Sequence, residues 1–103
     1  PGFAGYGATK TGIAALTRVA ALEGARSGIR VNCVCPGPIA GTALTDNICS
    51  TMEGIREGMT KGVPLGRMGD PEDDIGEAVL WLCSDAASFI TGAIVPVDGG
   101  LAI

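Results

Sequence analysis

Apolar residues recur at helical spacing through the first quarter of the chain. From about Ala8 to Arg26, Ile13, Leu16, Ala20 and Glu23 fall at helical intervals, and many alanines add high propensity. Ala14, Ala15, Val19, Ala21 and Leu22 carry the apolar character well round the cylinder, which predicts a helix buried on most sides. Gly28 is placed to end it. Ile29 to Cys35 is then a β-branched run with little alternation, as in a strand covered on both faces, and it stops at Pro36-Gly37-Pro38. Met52, Ile55 and Met59 predict a short amphipathic helix, which Gly54 and Gly58 weaken by about 1 kcal/mol each. Such a marginal, methionine-bearing helix suits a movable lid, and equally an ordinary surface helix.

The second half carries the plainest helix signal. Asp70 is a good N-cap, Pro71 fits the first helical position, and Glu72, Asp73 and Asp74 put negative charge at the positive end of the dipole. This acidic cluster reads as helix initiation rather than as catalytic carboxylates. Ile75, Val79 and Leu82, with Ala78 beside them, form the stripe expected to be buried. Ser84 or Asp85 begins a short turn to Phe89, Ala93 to Val97 reads as a second strand, and Asp98-Gly99-Gly100 turns the chain back. A helix over 71–83 between strands 29–35 and 93–97 makes a β-α-β unit, whose strands should pair in parallel. Ligands collect outside the carboxyl ends of such strands, so topology alone puts the loop beginning at Pro36 near a ligand.

Composition narrows the function. A length of 103 residues fits one domain at most. With 47% hydrophobic residues and a mean hydropathy of +0.39, the chain can pack a core and is not expected to be disordered. Net charge is −4 with no basic run, which argues against nucleic acid as a partner. No apolar run reaches the roughly 18 residues of a membrane span, and the start lacks the pattern of a signal peptide, so a cytoplasmic protein is expected. Four cysteines occur with no histidine and no Cys-x-x-Cys pair; they read as buried, reduced thiols, not as a metal site or disulfides. Gly2, Gly5 and Gly7 imitate a nucleotide-binding spacing, but no strand precedes them; they read instead as the entry of a loop into the first helix.

Candidate chemistry lies at Tyr6 and Lys10. Residues four apart share a helix face, about 6 Å along its axis. A phenol and an ammonium can thus share one pocket. Tyrosine has a pKa of about 10, and bringing it near neutrality takes about 4 kcal/mol of differential interaction, towards which a neighbouring cation contributes. Taken alone, the spacing favours a plainer reading: a half-buried tyrosine beside a solvated lysine.

The downstream order changes that balance. Tyr6-x-x-x-Lys10 is followed by IRVNCVCPGPI, then PLGRMGDPEDDIGEAVLWLCSD, then ITGAIVPVDGG. Over essentially all 103 residues this closely resembles the C-terminal half of classical short-chain dehydrogenases/reductases. The resemblance implies an α/β fold, the C-terminal part of a Rossmann-like doubly wound parallel sheet: a β-α-β unit plus the preceding active-site helix. Residues 1–103 would be the C-terminal portion of a single NAD(P)-binding domain.

The resemblance further implies hydride transfer between NAD or NADP and a small-molecule secondary alcohol or carbonyl substrate. Tyr6 would be the acid/base; Lys10 would lower its pKa and hold the nicotinamide ribose, and the cationic nicotinamide ring would lower it further. The loop at Pro36, Gly37 and Ile39 would pass the carboxamide, together with a threonine about five residues beyond the proline. Gly41 holds that place and Thr42 comes one later, so Thr42 serves only if the loop bulges. No metal is implied. The family packs the first helix on the sheet and against a second subunit, so a homo-oligomer, a dimer or a tetramer, is expected. The tail after Val97 would help to close the site and would contact a neighbouring subunit.

Only five residues precede Tyr6, so the glycine-rich turn, the ribose-selecting residue and the upstream Ser and Asn of the family cannot be assigned. The chain is accordingly expected to be part of a longer protein, with these 103 residues inactive alone. The rival reading is a non-catalytic half that persists as a self-association or interaction module.

Overall fold

The structure, a computed structural model, describes residues 4–102. In chain order the elements are α1 (Ala4–Gly24), β1 (Cys33–Pro36), α2 (Ala43–Thr51), α3 (Ile55–Gly62), a π-helical segment (Pro71–Gly76) running into α4 (Glu77–Cys83), and β2 (Ile94–Val97). Single 3-10 turns follow α1 at Ala25–Ser27 and α4 at Asp85–Ala87. The two strands form one sheet, β1 beside β2. Their register advances together, Cys33 N–H donating to the Ala93 carbonyl and Gly37 N–H to that of Val97, so they run parallel. This is the expected β-α-β order. The chain divides into two compact units, one of residues 1–33 and 82–95, the other of 34–81 and 96–103.

In the first unit, α1 starts earlier than its pattern suggests. Gly5 and Gly7 lie inside it, so they do not form an entry loop; one turn on, the Thr9 hydroxyl donates to the Gly5 carbonyl. The end falls where expected: Gly28 takes φ +72, and the Ile29 N–H returns to the Gly24 carbonyl. Burial around α1 departs from expectation. Among the described side chains of α1, only Thr17 and Ala21 are buried, with Ala14, Ala20 and Gly24 half-buried, whereas Leu16, Val19 and Leu22 stand exposed, Leu22 at 79%. The covered side is a narrow stripe of small residues, in which the Thr17 hydroxyl is satisfied by the Ile13 carbonyl at 2.8 Å. Polar side chains do much of the joining at the sheet. Asn32 donates to the Ile90 carbonyl and accepts from Ala93 N–H, the Thr91 hydroxyl accepts from Val31 N–H, and Arg30 reaches the carbonyls of Ile90 and Ser84.

In the second unit, the weak pattern between residues 43 and 62 resolves into two helices, not one. Gly54, at φ +76, marks the break ahead of α3. Ile55 and Met59 lie on the half-buried side of α3, whereas Met52 is exposed. The next helix begins as read from sequence. The Asp70 carboxylate accepts from the N–H groups of Glu72 and Asp73 at 2.8 and 2.9 Å, with Pro71 in the first turn. Of the expected stripe, Ile75 and Ala78 are half-buried and Val79 is exposed, while Leu82, which belongs to the first unit, is buried. The cysteines depart in burial too: none is in a disulfide, but Cys35 and Cys83 are exposed and only Cys33 and Cys49 are half-buried.

Candidate functional site

Tyr6 and Lys10 both lie on α1, one turn apart in register. The row that they begin continues one turn at a time to Ala14, Thr17 and Ala21, the covered stripe of the helix. Lys10 is exposed; the Tyr6 side chain lies outside the described residues, as does Gly2. Both positions belong to the first unit.

The loop expected to meet a cofactor belongs to the second unit and leaves the carboxyl end of β1. Pro36 is exposed, and Gly37, Pro38 and Ile39 are half-buried. Two backbone anchors hold it. Gly37 N–H donates to the Val97 carbonyl at 3.1 Å, and Ile39 is bracketed by Gly69, whose N–H donates to the Pro38 carbonyl and whose carbonyl accepts from Ala40 N–H, both at 2.9 Å. The tail turn packs directly on the loop. A methyl on Gly37 would stand 2.8 Å from the Asp98 Cα.

Thr42 has a structural task. It is the N-cap of α2: its hydroxyl accepts from Thr45 N–H at 3.2 Å and donates its proton to Thr45 Oγ1 at 2.9 Å. One lone pair of the Thr42 oxygen is left for any other donor.

Pro38 and Ile39 also line a cavity of about 400 Å3, whose other walls come from Pro64, Leu65, Arg67, Asp74 and the tail residues Pro96 to Gly100. Of its three charged residues, Arg67, Asp74 and Asp98, the first two bind each other. Arg67 Nη1 lies 2.5 Å from Asp74 Oδ2 and Nη2 lies 2.7 Å from Oδ1, a fork that holds the Asp74 carboxyl well below the usual carboxylate range and raises the Arg67 pKa. The Asp70 backbone N–H, 2.6 Å from Asp74 Oδ2, adds to the effect on Asp74. Sequence reading placed Asp74 only at the helix start. The missed signal was an arginine seven residues before it, across the Asp70-Pro71 turn. Among the described residues, no group of three His, Cys, Asp or Glu is placed to hold a metal ion.

Comparison with known proteins decides the family. The profile described as Enoyl-(Acyl carrier protein) reductase matches residues 1–102. The chain belongs to the short-chain dehydrogenase/reductase family. Among its relatives is the 3-oxoacyl-[acyl-carrier-protein] reductase of Chlamydia trachomatis, 43% identical over 102 residues that make up 99% of this chain and 39% of that protein. Another is the cis-4-hydroxycyclohexanecarboxylate dehydrogenase of Sinomonas cyclohexanicum, 48% identical over 95 residues, 92% of this chain and 36% of that protein. In fold, this short-chain dehydrogenase/reductase chain is similar to the crystal structure of the 3-ketoacyl-(acyl-carrier-protein) reductase of Brucella melitensis complexed with NADH. The TM-score is 0.85 at 38% identity, over 100% of this chain and 39% of that one. The fold is thus α/β, part of a Rossmann-like parallel sheet, and the chain spans about two fifths of the length of the curated relatives it matches.

Proposed function

We propose that this chain is the C-terminal portion of a single NAD(P)-binding domain, in an oxidoreductase that interconverts a small secondary alcohol and its carbonyl compound. The observation that carries the reading is Tyr6 one helical turn before Lys10 on α1, in a chain of this family. The two relatives named above, a 3-oxoacyl reductase and a cyclic hydroxy-acid dehydrogenase, support the substrate class, and the NADH in the Brucella melitensis structure supports the cofactor class, NAD or NADP.

Two features of this chain support a nicotinamide dinucleotide as the cofactor: a tyrosine and a lysine one turn apart on one helix, and, in the other unit, a Pro-Gly loop leaving the carboxyl end of a parallel strand. When bound, the nicotinamide supplies or accepts the hydride. The chain's own part is the proton. Tyr6 gives its phenol proton to the carbonyl oxygen in reduction and takes the hydroxyl proton in oxidation. Lys10 favours the phenolate by its charge and holds the nicotinamide ribose. Pro36, Gly37 and Ile39 present backbone to the carboxamide, and Thr42 adds its remaining lone pair or, by giving up Thr45, its proton.

Replacing Tyr6 with Phe in the full-length protein tests this. Assayed with NADH or NADPH and a 3-oxoacyl thioester, the variant is expected to lose about 10²- to 10⁴-fold in kcat while binding the nucleotide as before. Activity near wild type would refute the proton role.

A second reading draws on the exposed apolar face of α1, where Leu16, Val19 and Leu22 are each more than half exposed. On it, the chain is a non-catalytic self-association module. A full-length protein that binds neither NADH nor NADPH yet self-associates through α1 would favour that reading.

A further inference from the structure

The loop from Pro36 to Ala40 has the nicotinamide role only under the function proposed above, yet what shapes its far end can be read from the second unit alone. Gly69 brackets Ile39 through two backbone hydrogen bonds, and a Cβ at Gly69 would stand 2.7 Å from Ile39 Cδ1. The position of Ile39 therefore follows that of Gly69. On one side of Gly69, Arg67 binds Asp74 with both terminal nitrogens and its Nη1 also donates to the Met68 carbonyl at 3.1 Å. On the other side, Asp70 N–H donates to the same Asp74 carboxylate. Residues 67, 68 and 70 are thus all tied to one ion pair, and Gly69 hangs between them.

Capping the helix does not require this arrangement. Asp70 already accepts from the Glu72 and Asp73 N–H groups with its own carboxylate. Nor is global stability the natural output, because an ion pair whose arginine side chain is 58% exposed contributes little to folding. What a bidentate, planar fork supplies is fixed geometry.

We infer that Arg67 and Asp74 are positioning residues: their ion pair sets Gly69, and through it the Pro38–Ala40 backbone, so that the loop is preformed for the nicotinamide dinucleotide. The pair's part is geometric. It acts by sparing the loop an ordering step on binding.

The test uses the full-length protein carrying Asp74→Ala, with Arg67→Lys as a variant that keeps the charge but loses the planar fork. Without nucleotide, amide exchange at Ala40 and Gly69 is expected to accelerate about tenfold or more in Asp74→Ala, while the Cys33 amide, bonded to Ala93, keeps its wild-type rate. In titration and kinetics with NADH and NADPH, KM for the nucleotide is expected to rise about tenfold with kcat at saturation within about twofold, and Arg67→Lys should fall between. Unchanged exchange at Ala40 overturns the inference, as does a lowered Tm with unchanged nucleotide KM, the mark of a merely structural pair. Failure of the proposed function looks different. Wild-type protein that binds neither nucleotide refutes the nicotinamide role and the claim on affinity with it, whereas the exchange rates still decide whether the ion pair sets the loop.

Discussion

Gly37 lies so close to Asp98 that a methyl at residue 37 would meet the Asp98 Cα at 2.8 Å and its carbonyl oxygen at 3.0 Å. The obstacle is backbone, and that backbone is pinned: the Asp98 carboxylate accepts from the N–H groups of Gly100 and Ala102 at 2.9 and 3.0 Å. Neither partner yields cheaply to an added side chain. Gly37→Ala is therefore expected to destabilise the full-length protein by about 1–3 kcal/mol, as overpacking does. Urea denaturation measures it directly. A loss below a few tenths of a kcal/mol would mean that the turn moves freely away from the loop.

A milder loss is expected at Asp70. Its carboxylate satisfies two N–H groups of the Pro71–Gly76 turn, and Asp70 itself is exposed, so the cap can be removed without opening a cavity. Asp70→Ala should cost about 1 kcal/mol and Asp70→Asn only a fraction of that, since an amide oxygen still accepts. Equal losses in the two variants, in chemical denaturation, would point to charge rather than capping.

These two residues also show what could be read beforehand. Asp70 announces itself, because capping is local: an Asp, a Pro and three acids in a row specify a helix start without regard to the rest of the fold. The β-α-β order and the loop at Pro36 were legible for a similar reason, through short apolar runs bounded by turn residues. What stayed hidden depends on distance along the chain. The Gly37–Asp98 approach and the Ile39–Gly69 bridge join residues 61 and 30 positions apart, and no local pattern marks them. Burial was misread on α1 because apolar residues surround much of the helix, whereas the residues described here cover only its small-residue stripe. Thr42 was legible as a polar residue at the loop's end, but its bond to Thr45 is a capping geometry that spacing from Pro36 cannot reveal.

Acid should act on the Arg67–Asp74 pair in a defined window. The fork of Arg67 holds the Asp74 carboxyl below its ordinary range, so the folded protein binds that proton less readily than the unfolded chain. Whatever the pair contributes is fully present above the unfolded carboxylate pKa of about 4 and is lost as the pH falls below it. Comparing wild type with Asp74→Asn by thermal denaturation, the difference between them is expected to shrink steadily below about pH 4 and to be constant above about pH 5. Raising the salt should narrow it too, because the pair faces solvent. A difference that grows on acidification would contradict the pairing.

The exposed side of α1 carries a prediction about assembly. Leu16 is 66% and Val19 51% exposed. An apolar face of this kind must be covered in a stable protein, either by the rest of a longer chain or by a second copy. A helix face can meet its own copy about a two-fold axis, and about 800 Å2 per partner is typical of a stable interface. Val19→Glu in the full-length protein separates the two. If a second copy covers the face, light scattering should show the assembly fall by one step, from tetramer to dimer or from dimer to monomer, with Tm little changed once the lost association is allowed for. If the same chain covers it, the buried charge should lower Tm by several degrees at unchanged mass. A wild-type protein that is monomeric at micromolar concentration removes the first possibility outright.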